Sequence, residues 1–198
     1  ALAAGFDGIQ LHAANGYLID QFLRDNANLR TDEYGGPVEN RIRLLGEVAQ
    51  RLVDTIGGDR VGVRLSPNGE SQGVNDSDPH ALFGAAASLL KDKGVAWIEL
   101  REPRAGGTRG EPEVAAVHPV IRAAFGGPVV LNSDYDRASG QAALDAGEAD
   151  AIAFGRPFIA NPDLPLRLVQ DLPLNPARPD LFYTQGEEGY VDYPVWAE

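Results

Sequence analysis

Residues 60–100 read RVGVRLSPNGESQGVNDSDPHALFGAAASLLKDKGVAWIEL. The segment opens on a short apolar run and closes on a second one, 96–100. Between them, Ser77 or Asp78 followed by Pro79 is typical of a helix start, and apolar residues then recur at helical spacing. The pattern predicts a strand, a helix and a second strand, which is the repeating unit of a parallel sheet covered by helices.

The same unit recurs along the chain. Apolar runs that predict strands lie at 8–12, 60–65, 96–100, 129–132 and 151–154. Helical patterns follow them at 15–22, 38–56, 77–94, 117–125, 137–146 and 164–171. The strands look apolar on both faces, and the spacing of the units, ~30–45 residues, suits a closed barrel of eight such units. We therefore predict an α/β fold with about five βα units of a (β/α)₈ TIM barrel, followed by a C-terminal tail.

Composition and charge exclude several classes of protein. The chain has 198 residues, a formal net charge of −12 and no cysteine. The charge argues against a nucleic-acid or anionic-membrane partner, and no apolar run reaches the ~18 residues of a membrane helix. Without cysteine there are no disulfides, thiolate nucleophiles or iron–sulfur clusters, and three histidines are too few for a His-rich metal site. The N-terminus has no signal-peptide pattern, so we expect a cytoplasmic, metal-free protein.

Polar residues stand where the predicted strands end. The strand-end residues are His12, Arg64, Arg101, Glu102, Asn132, Ser133 and Arg156. The carboxyl ends of parallel barrel strands form one rim, and active sites of this fold lie there, so we expect a site built from several strands. The alternative is that strand ends simply border solvent, where polar residues are common. For any single residue both interpretations stay open.

The densest polar group is residues 12–17, HAANGY. An imidazole and a carboxamide can both donate hydrogen bonds to one oxygen, and the phenol of Tyr17, with an ordinary pKa near ~10, holds a proton that it can deliver. Such a set suits a carbonyl that gains electron density during a reaction. The structural alternative is that Asn15 caps a helix and His12 merely ends a strand.

The segment 154–157, FGRP, has a different chemistry. Gly155 permits close backbone approach, Pro157 opens a short helix with free N–H groups, and Arg156 adds a permanent planar cation. Together with segment 132–134, NSD, this group suits a phosphate, which late strands of this barrel often bind. The alternative is a surface arginine paired with an acid.

Arg64 ends an otherwise apolar strand. A guanidinium in a barrel mouth is costly unless it is paired, so we expect Arg64 to meet either an acidic side chain or an anionic ligand. His80 and His118 stand at predicted helix starts, and we interpret both as surface residues.

Five motifs, in this order, resemble the old yellow enzyme family. They are residues 12–23 (HAANGYLIDQFL), 30–41 (RTDEYGGPVENR), 61–67 (VGVRLSP), 153–164 (AFGRPFIANPDL) and 188–194 (EGYVDYP). The motifs span essentially the whole chain. The resemblance is nearest to the bacterial N-ethylmaleimide reductase and plant 12-oxophytodienoate reductase branch.

The resemblance implies FMN at the carboxyl-terminal rim of a (β/α)₈ barrel and a hydride taken from NADPH or NADH. The flavin passes the hydride to the β-carbon of a small activated alkene, an α,β-unsaturated carbonyl or nitro compound. By position, His12 and Asn15 would hold the substrate oxygen, and Tyr17 would protonate the α-carbon. Tyr190 would line the substrate pocket. The residues implied for FMN are Arg64, beside N1 and O2 of the ring, and, for the phosphate, Asn132, Ser133, Asp134, Gly155 and Arg156.

The resemblance also implies that part of the barrel lies outside these residues. The family's first three βα units have no counterpart here, and segment 1–5, ALAAG, is typical of a helix end. We therefore expect residues 1–198 to form one partial domain, the last five βα units and tail. The N-terminal part of the barrel would be supplied as another chain or segment. Two alternatives stay open: a non-catalytic fragment that needs a complementing chain, and a phosphate-binding barrel with non-redox chemistry.

Overall fold

The computed structural model describes residues 1–108 and 110–197. The chain divides into two compact units, Ala1–Ala153 and Phe154–Glu198. In the first unit, the described residues form one five-stranded sheet in the order β1-β2-β3-β4-β5. Every neighbouring pair is parallel, which requires a crossover between consecutive strands. A sequential parallel sheet of this kind is a segment of a (β/α)₈ barrel.

The strands and helices lie close to their predicted positions. The strands are Ile9–His12 (β1), Val61–Leu65 (β2), Trp97–Arg101 (β3), Val129–Asn132 (β4) and Ala151–Ala153 (β5). The helices of the first unit are Leu18–Leu23 (α1), Val38–Arg41 (α2), Arg43–Ile56 (α3), Pro79–Asp92 (α4), His118–Phe125 (α5) and Arg137–Asp145 (α6). The local signals in the sequence were therefore sufficient to place these elements, apart from the division between α2 and α3.

The two faces of the sheet differ in polarity. Val63, Ile98 and Leu131 are buried on the face that packs under the helices, where the hydrophobic core lies. The opposite face is partly exposed and carries charged side chains such as Arg64 and Glu99. The prediction of strands that are apolar on both sides is wrong. Side chains alternate between faces, and in the described part of the chain helices cover only one of them.

The helix predicted over 38–56 is two helices, α2 and α3, that meet at Ile42. Ile42 has a ψ of −7°, which interrupts the regular helix, although its N–H still bonds the Val38 carbonyl at 3.0 Å. Leu45 and Ala49 of α3 are fully buried. The apolar stripe crosses the break without losing its face, so the spacing of apolar residues could not reveal it.

Helix α4 begins as the sequence predicts. Asp78 is the N-cap, and its carboxylate accepts the Ala81 N–H at 3.0 Å. Pro79 is the first helical residue, where its missing N–H costs nothing. Leu82 and Ala86 are fully buried, and the helix packs against α5. The cap sets where the helix begins, and its apolar face joins the hydrophobic core.

Glu102 ties the end of β3 to the beginning of α5. Its buried carboxylate accepts the Val117 N–H at 2.7 Å and the His118 N–H at 3.2 Å. The carboxylate also lies 2.9 Å from Nδ1 of His118, and it accepts a hydrogen bond from Nδ2 of Asn68 at 3.1 Å. Burial alone raises the pKa of Glu102, but the hydrogen bonds, led by that from His118, outweigh it and hold the pKa below its ordinary 4.5. The interpretation of His118 as a surface residue is wrong, because its ring packs against this carboxylate.

In the second unit the described residues form helices Arg156–Ala160 (α7) and Leu164–Gln170 (α8), followed by an irregular tail. Arg167 on α8 is 3% exposed. Its Nε lies 2.7 Å from Asp163 Oδ1, and its Nη2 donates to the Pro194 carbonyl at 3.0 Å. The tail is thus held to α8 by hydrogen bonds rather than by a periodic apolar face. None of the helices in the described residues combines the length and apolarity that crossing a membrane requires.

We expect Glu102→Gln to lower the free energy of unfolding at pH 7 by about 1–3 kcal/mol. The amide cannot accept hydrogen bonds at both of the positions where the carboxylate meets buried N–H donors. Urea denaturation of the two proteins measures the difference. Glu187→Gln, at an exposed position of the tail, is the matched control and should leave the midpoint unchanged.

The stabilities of wild type and Glu102→Gln can also be compared as a function of pH. The folded-state pKa of Glu102 lies below the unfolded value, so its contribution is present above pH 4.5 and is lost as the pH falls below 4.5. We therefore expect the stability difference between wild type and Glu102→Gln to shrink on acidification. A difference that stays constant from pH 7 to acid would contradict the assignment.

Candidate functional site at the carboxyl ends of the strands

The partly exposed face of the sheet carries the first group of predicted site residues. In the strand register His12 of β1 is level with Arg64 of β2, and Arg64 is level with Glu99 of β3. Since alternate side chains share a face, these three residues lie side by side. We call this surface the open face; its residues are Gln10, His12, Gly62, Arg64, Trp97, Glu99, Arg101, Val130 and Asn132.

Arg64 lies at the centre of a chain of polar contacts on the open face. Its Nε is 2.9 Å from Oε1 of Glu99, and its Nη2 donates to Oδ1 of Asn132 at 3.0 Å. Gln10 donates to the other oxygen of Glu99 at 2.9 Å. Of the two partners expected for Arg64, an acid or an anionic ligand, the structure shows the acid. The half-buried guanidinium is therefore held in place and its charge is balanced.

Trp97 fills the open face one layer below Arg64. Gly62 is its register partner, and a Cβ at Gly62 would lie 2.0 Å from the indole ring. Only glycine leaves room for this ring against β2. The indole ring of Trp97 therefore lies on the same face as Arg64 and Glu99, two residues earlier in the strands.

His12, Asn15 and Tyr17 are brought together by the tight loop after β1. The ring centroids of His12 and Tyr17 are 5.0 Å apart, with the rings tilted by 53°. Asn15 and Gly16 have φ angles of 57° and 78°, so the chain turns through two consecutive left-handed residues. Tyr17, not Asn15, is the N-cap of α1. The interpretation of Asn15 as a helix cap is wrong, because its left-handed backbone places it outside the helix start.

The loop presents its functional groups in distinct states. Although His12 is exposed, partial desolvation of its ring and then the Arg64 charge lower its pKa below 6.5, against the opposing effects of Asp20 and Glu99. The imidazole is therefore neutral at pH 7 and donates through one nitrogen. Tyr17 is 54% exposed. Oδ1 of Asn15 is buried and accepts no hydrogen bond from the described residues, so the fold does not use this atom.

The end of β4 provides the second predicted group. Nδ2 of Asn132 donates to the Ala153 carbonyl at 2.7 Å, which fixes the side chain between β4 and β5. Ser133 and Asp134 follow with φ angles of 117° and 50°. Oγ of Ser133 is buried and has no hydrogen-bond partner in residues 1–108 and 110–197. The Asp134 carboxylate accepts the N–H and Oγ1 of Thr108 at 2.9 and 2.7 Å, so an anion would meet its backbone rather than its side chain.

The remaining predicted residues belong to the second unit. Gly155 is the N-cap position of α7, and Arg156 and Pro157 are its first two residues, as the sequence indicates. Tyr190 lies in the tail and is 59% exposed. That Gly155 and Arg156 share a phosphate with segment 132–134, and that Tyr190 lines a substrate pocket, stay predictions.

A cavity of about 620 Å³ lies between the loop after β3 and α6. Leu131, on the core side of β4, and Ala143 of α6 contribute to its wall. Tyr135 also lines it, and burial raises the pKa of this phenol against the opposing charge of Arg104, which stacks 4.3 Å from the ring centroid. Asn132 of the open face also lines the cavity, which therefore reaches the carboxyl end of β4. No group of three or more potential side-chain metal ligands occurs in the described residues.

Two site features escaped the sequence reasoning. Glu99 stands in the middle of an apolar strand, and this interruption of the pattern is the signal that could have marked it as the partner of Arg64. Asp20 and Arg24 are an i,i+4 pair that is fully buried, at 0% and 1% side-chain exposure. Their spacing was visible, but it looks the same as that of a solvent-exposed helical pair.

Comparisons with known proteins agree with this geometry. The model of the NADH:flavin oxidoreductase / NADH oxidase family matches residues 1–175. The chain is 44% identical over 200 residues to 12-oxophytodienoate reductase 1 of Oryza sativa subsp. japonica, covering 100% of this chain and 53% of that protein. It is 43% identical over 195 residues to the probable flavin mononucleotide-dependent alkene reductase of Leishmania infantum, covering 98% and 52%.

Solved structures give the same result. The old yellow enzyme homologue from Zymomonas mobilis superposes with a TM-score of 0.96 at 55% identity, over 99% of this chain and 55% of that one. Morphinone reductase superposes with a TM-score of 0.93 at 42% identity, over 99% and 52%. The predicted partial TIM barrel is confirmed, and the chain spans about half the length of these relatives. It belongs to the NADH:flavin oxidoreductase / NADH oxidase family, the old yellow enzyme family that its motifs predict.

Proposed function

We propose that this chain carries the substrate-binding loop and part of the FMN site of an NADPH- or NADH-dependent reductase of activated alkenes. The observation that carries the proposal is the loop after β1, which places His12 and Tyr17 with ring centroids 5.0 Å apart and Asn15 between them in the chain. The names of its relatives, an alkene reductase and a 12-oxophytodienoate reductase, support the same reaction class.

A completing partner is part of the proposal. The chain spans about half the length of its relatives, and a (β/α)₈ barrel needs three βα units beyond the five seen here. We propose that the N-terminal part of the barrel, as another chain or segment, pairs with the free edges of β1 and β5. The substrate would be a small α,β-unsaturated carbonyl or nitro compound.

The described residues fit FMN in two respects. Arg64 provides a guanidinium that Glu99 and Asn132 hold on the open face. Ser133 provides a buried hydroxyl without a partner among the described residues, at a strand end of the kind that binds phosphate in this fold. When bound, FMN would supply the chemistry of accepting and donating hydride. We assign the ring contact to Arg64, and the phosphate contacts to Asn132, Ser133, Asp134, Gly155 and Arg156.

The substrate chemistry follows from the states of three side chains. His12, neutral at pH 7, donates one N–H to the substrate oxygen, and the carboxamide of Asn15 donates the second hydrogen bond. Two fixed donors stabilise the charge that develops on this oxygen during reduction of the alkene. Tyr17, whose ring centroid lies 5.0 Å from that of His12, delivers a proton to the α-carbon.

We expect this chain, once combined with the N-terminal part of the barrel, to retain FMN through desalting. We call this combination the barrel-completed protein, and its bound FMN is detected by yellow flavin absorbance. Arg64→Ala should weaken FMN binding about tenfold or more, because a charge-assisted contact is lost. Arg51→Ala, on the exposed side of α3, is the control and should bind FMN normally. A colourless protein that does not bind added FMN would identify the chain as a non-catalytic fragment.

Tyr17→Phe should slow alkene reduction about 100-fold or more, because the α-carbon loses its proton donor. Reduction of the flavin by NADPH should stay near the wild-type rate. Rapid-mixing measurements of the two half-reactions separate the effects, and Tyr183→Phe, at an exposed position, is the control. An equal fall in both half-reactions would refute the proton-donor role.

The ring of His12 should titrate below pH 6.5, as followed by NMR on this chain alone. Arg64→Gln should raise its pKa, because the nearby cation disfavours the imidazolium. Glu99→Gln should lower the pKa further, because Glu99 favours the charged ring. The His12→Gln spectrum assigns the signal. Shifts of the same sign in both variants would show that these charges do not control the ring.

A further inference from the structure

Side chains accept hydrogen bonds from two backbone N–H groups of the loop that carries Asn15 and Tyr17. The Asn15 N–H donates to Oγ of Ser66 at 2.7 Å. The Gly16 N–H donates to Oδ2 of Asp20 at 2.9 Å. Both acceptors are fully buried. The two residues at the turn of the loop are therefore held from the protein interior.

The carbonyl groups of the same two residues are held from the outside. Nε2 of Gln72 donates to the Asn15 carbonyl at 2.7 Å, and Nε2 of Gln21 donates to the Gly16 carbonyl at 2.7 Å. Both glutamines are exposed. All four backbone polar groups of two adjacent residues thus bond side chains from three different segments. The Asn15–Gly16 backbone is therefore fully satisfied by side chains.

The backbone of the loop has an unusual conformation. Asn15 is left-handed, which asparagine adopts more readily than most residues with a Cβ, and the glycine that follows it is left-handed as well. At Gly16 a Cβ would lie 2.5 Å from the Ser71 carbonyl oxygen. The turn is therefore pressed against segment 71–72 and is defined by its tertiary contacts.

The buried acceptors also join two strand ends. Oγ of Ser66 donates to Oδ2 of Asp20 at 3.2 Å, while Arg24 Nε lies 2.9 Å from Oδ1 of the same carboxylate. Arg24 donates as well to the Ser66 carbonyl, and its guanidinium stacks on the ring of Phe83, 4.7 Å from the centroid. The carboxylate is thus charge-balanced and satisfied. Ser66 follows Arg64 by two residues, so the network couples the loop after β1 to the end of β2.

We propose that Ser66 and Asp20, with Gln21 and Gln72, are positioning residues that aim Asn15 and Tyr17 at the substrate oxygen and α-carbon. This inference rests on the proposed function, since the loop is where that function places the substrate. The four residues act through the Asn15–Gly16 backbone and touch no reacting atom. Substitution of these residues should weaken binding of the substrate through its oxygen atom. Reduction of the flavin by NADPH should stay near normal.

The test uses Ser66→Ala, which removes the acceptor of the Asn15 N–H, and Ser66→Thr, which keeps a hydroxyl. Gln72→Ala removes the hydrogen bond to the Asn15 carbonyl. Because Gln72 is exposed, this variant tests the same loop without disturbing the core. Gln141→Ala, at an exposed position of α6, is the matched control. Thermal unfolding establishes that each variant is folded.

The first measurement is hydrogen exchange of the segment 12–20 in this chain. Exchange of the Asn15 and Gly16 amides should quicken about tenfold in Ser66→Ala, with α4 unchanged and Ser66→Thr close to wild type. The second is the dissociation constant of cyclohexanone, a saturated ketone that cannot be reduced at C=C, for the FMN-loaded, barrel-completed protein. It should rise about tenfold in Ser66→Ala and less in Gln72→Ala.

The outcomes separate the two proposals. Faster exchange together with weaker cyclohexanone binding supports the positioning role. Unchanged exchange, or faster exchange with unchanged cyclohexanone binding, overturns it and leaves the network purely structural. A wild-type protein that takes up no FMN overturns the proposed function, and this inference with it.

Discussion

Parallel pairing of β1 through β5 is the constraint on which the rest of the structure depends. It brings the carboxyl ends of the five strands to one edge, and its register sets His12, Arg64 and Glu99 in a row although they are far apart in the chain. The pleat then divides each strand between a buried apolar face and the open face. A slip of one residue in any strand would exchange these faces, so the apolar core and the polar site specify the same register.

Buried charged groups hold the loops at this edge. Asp20 pairs with Arg24 beneath the loop after β1, and the Glu102 carboxylate accepts the backbone N–H groups of Val117 and His118 at the start of α5. Arg41 of α2 lies 2.5 Å from Asp76 and also donates to the Leu23 carbonyl. Removing one member of such a pair leaves a buried charge without its partner, which destabilises far more than loss of a surface pair. Buried ion pairs therefore contribute to holding the loops that shape the candidate site.

The family relationship and the geometry constrain each other. The chain superposes over 99% of its length on old yellow enzyme barrels, of which it covers about half. Within the described residues β1 and β5 are the edges of the sheet, and parallel edges of this kind are normally covered or paired. In a closed (β/α)₈ barrel, the face that corresponds to the open face points to the interior.

The sequence by itself determined most of the elements and the residue types of the candidate site. Local signals, such as the Asp78 cap before Pro79 and the regular apolar spacing of the helices, act between neighbours and can be recognised along the chain. The motif 12–17 likewise contains its imidazole, carboxamide and phenol before any folding is considered. These features depend on residue type and short spacing alone.

Only the tertiary structure decided how those side chains are held. The choice of Glu99 as partner of Arg64 depends on the register of two strands, and the turn at Asn15 is held by Ser66, a residue from the next strand end. The burial of Glu102 against His118 depends on how the loop after β3 folds back. Contacts between residues distant in sequence leave no periodic signal, because register and pleat exist only once the strands are paired.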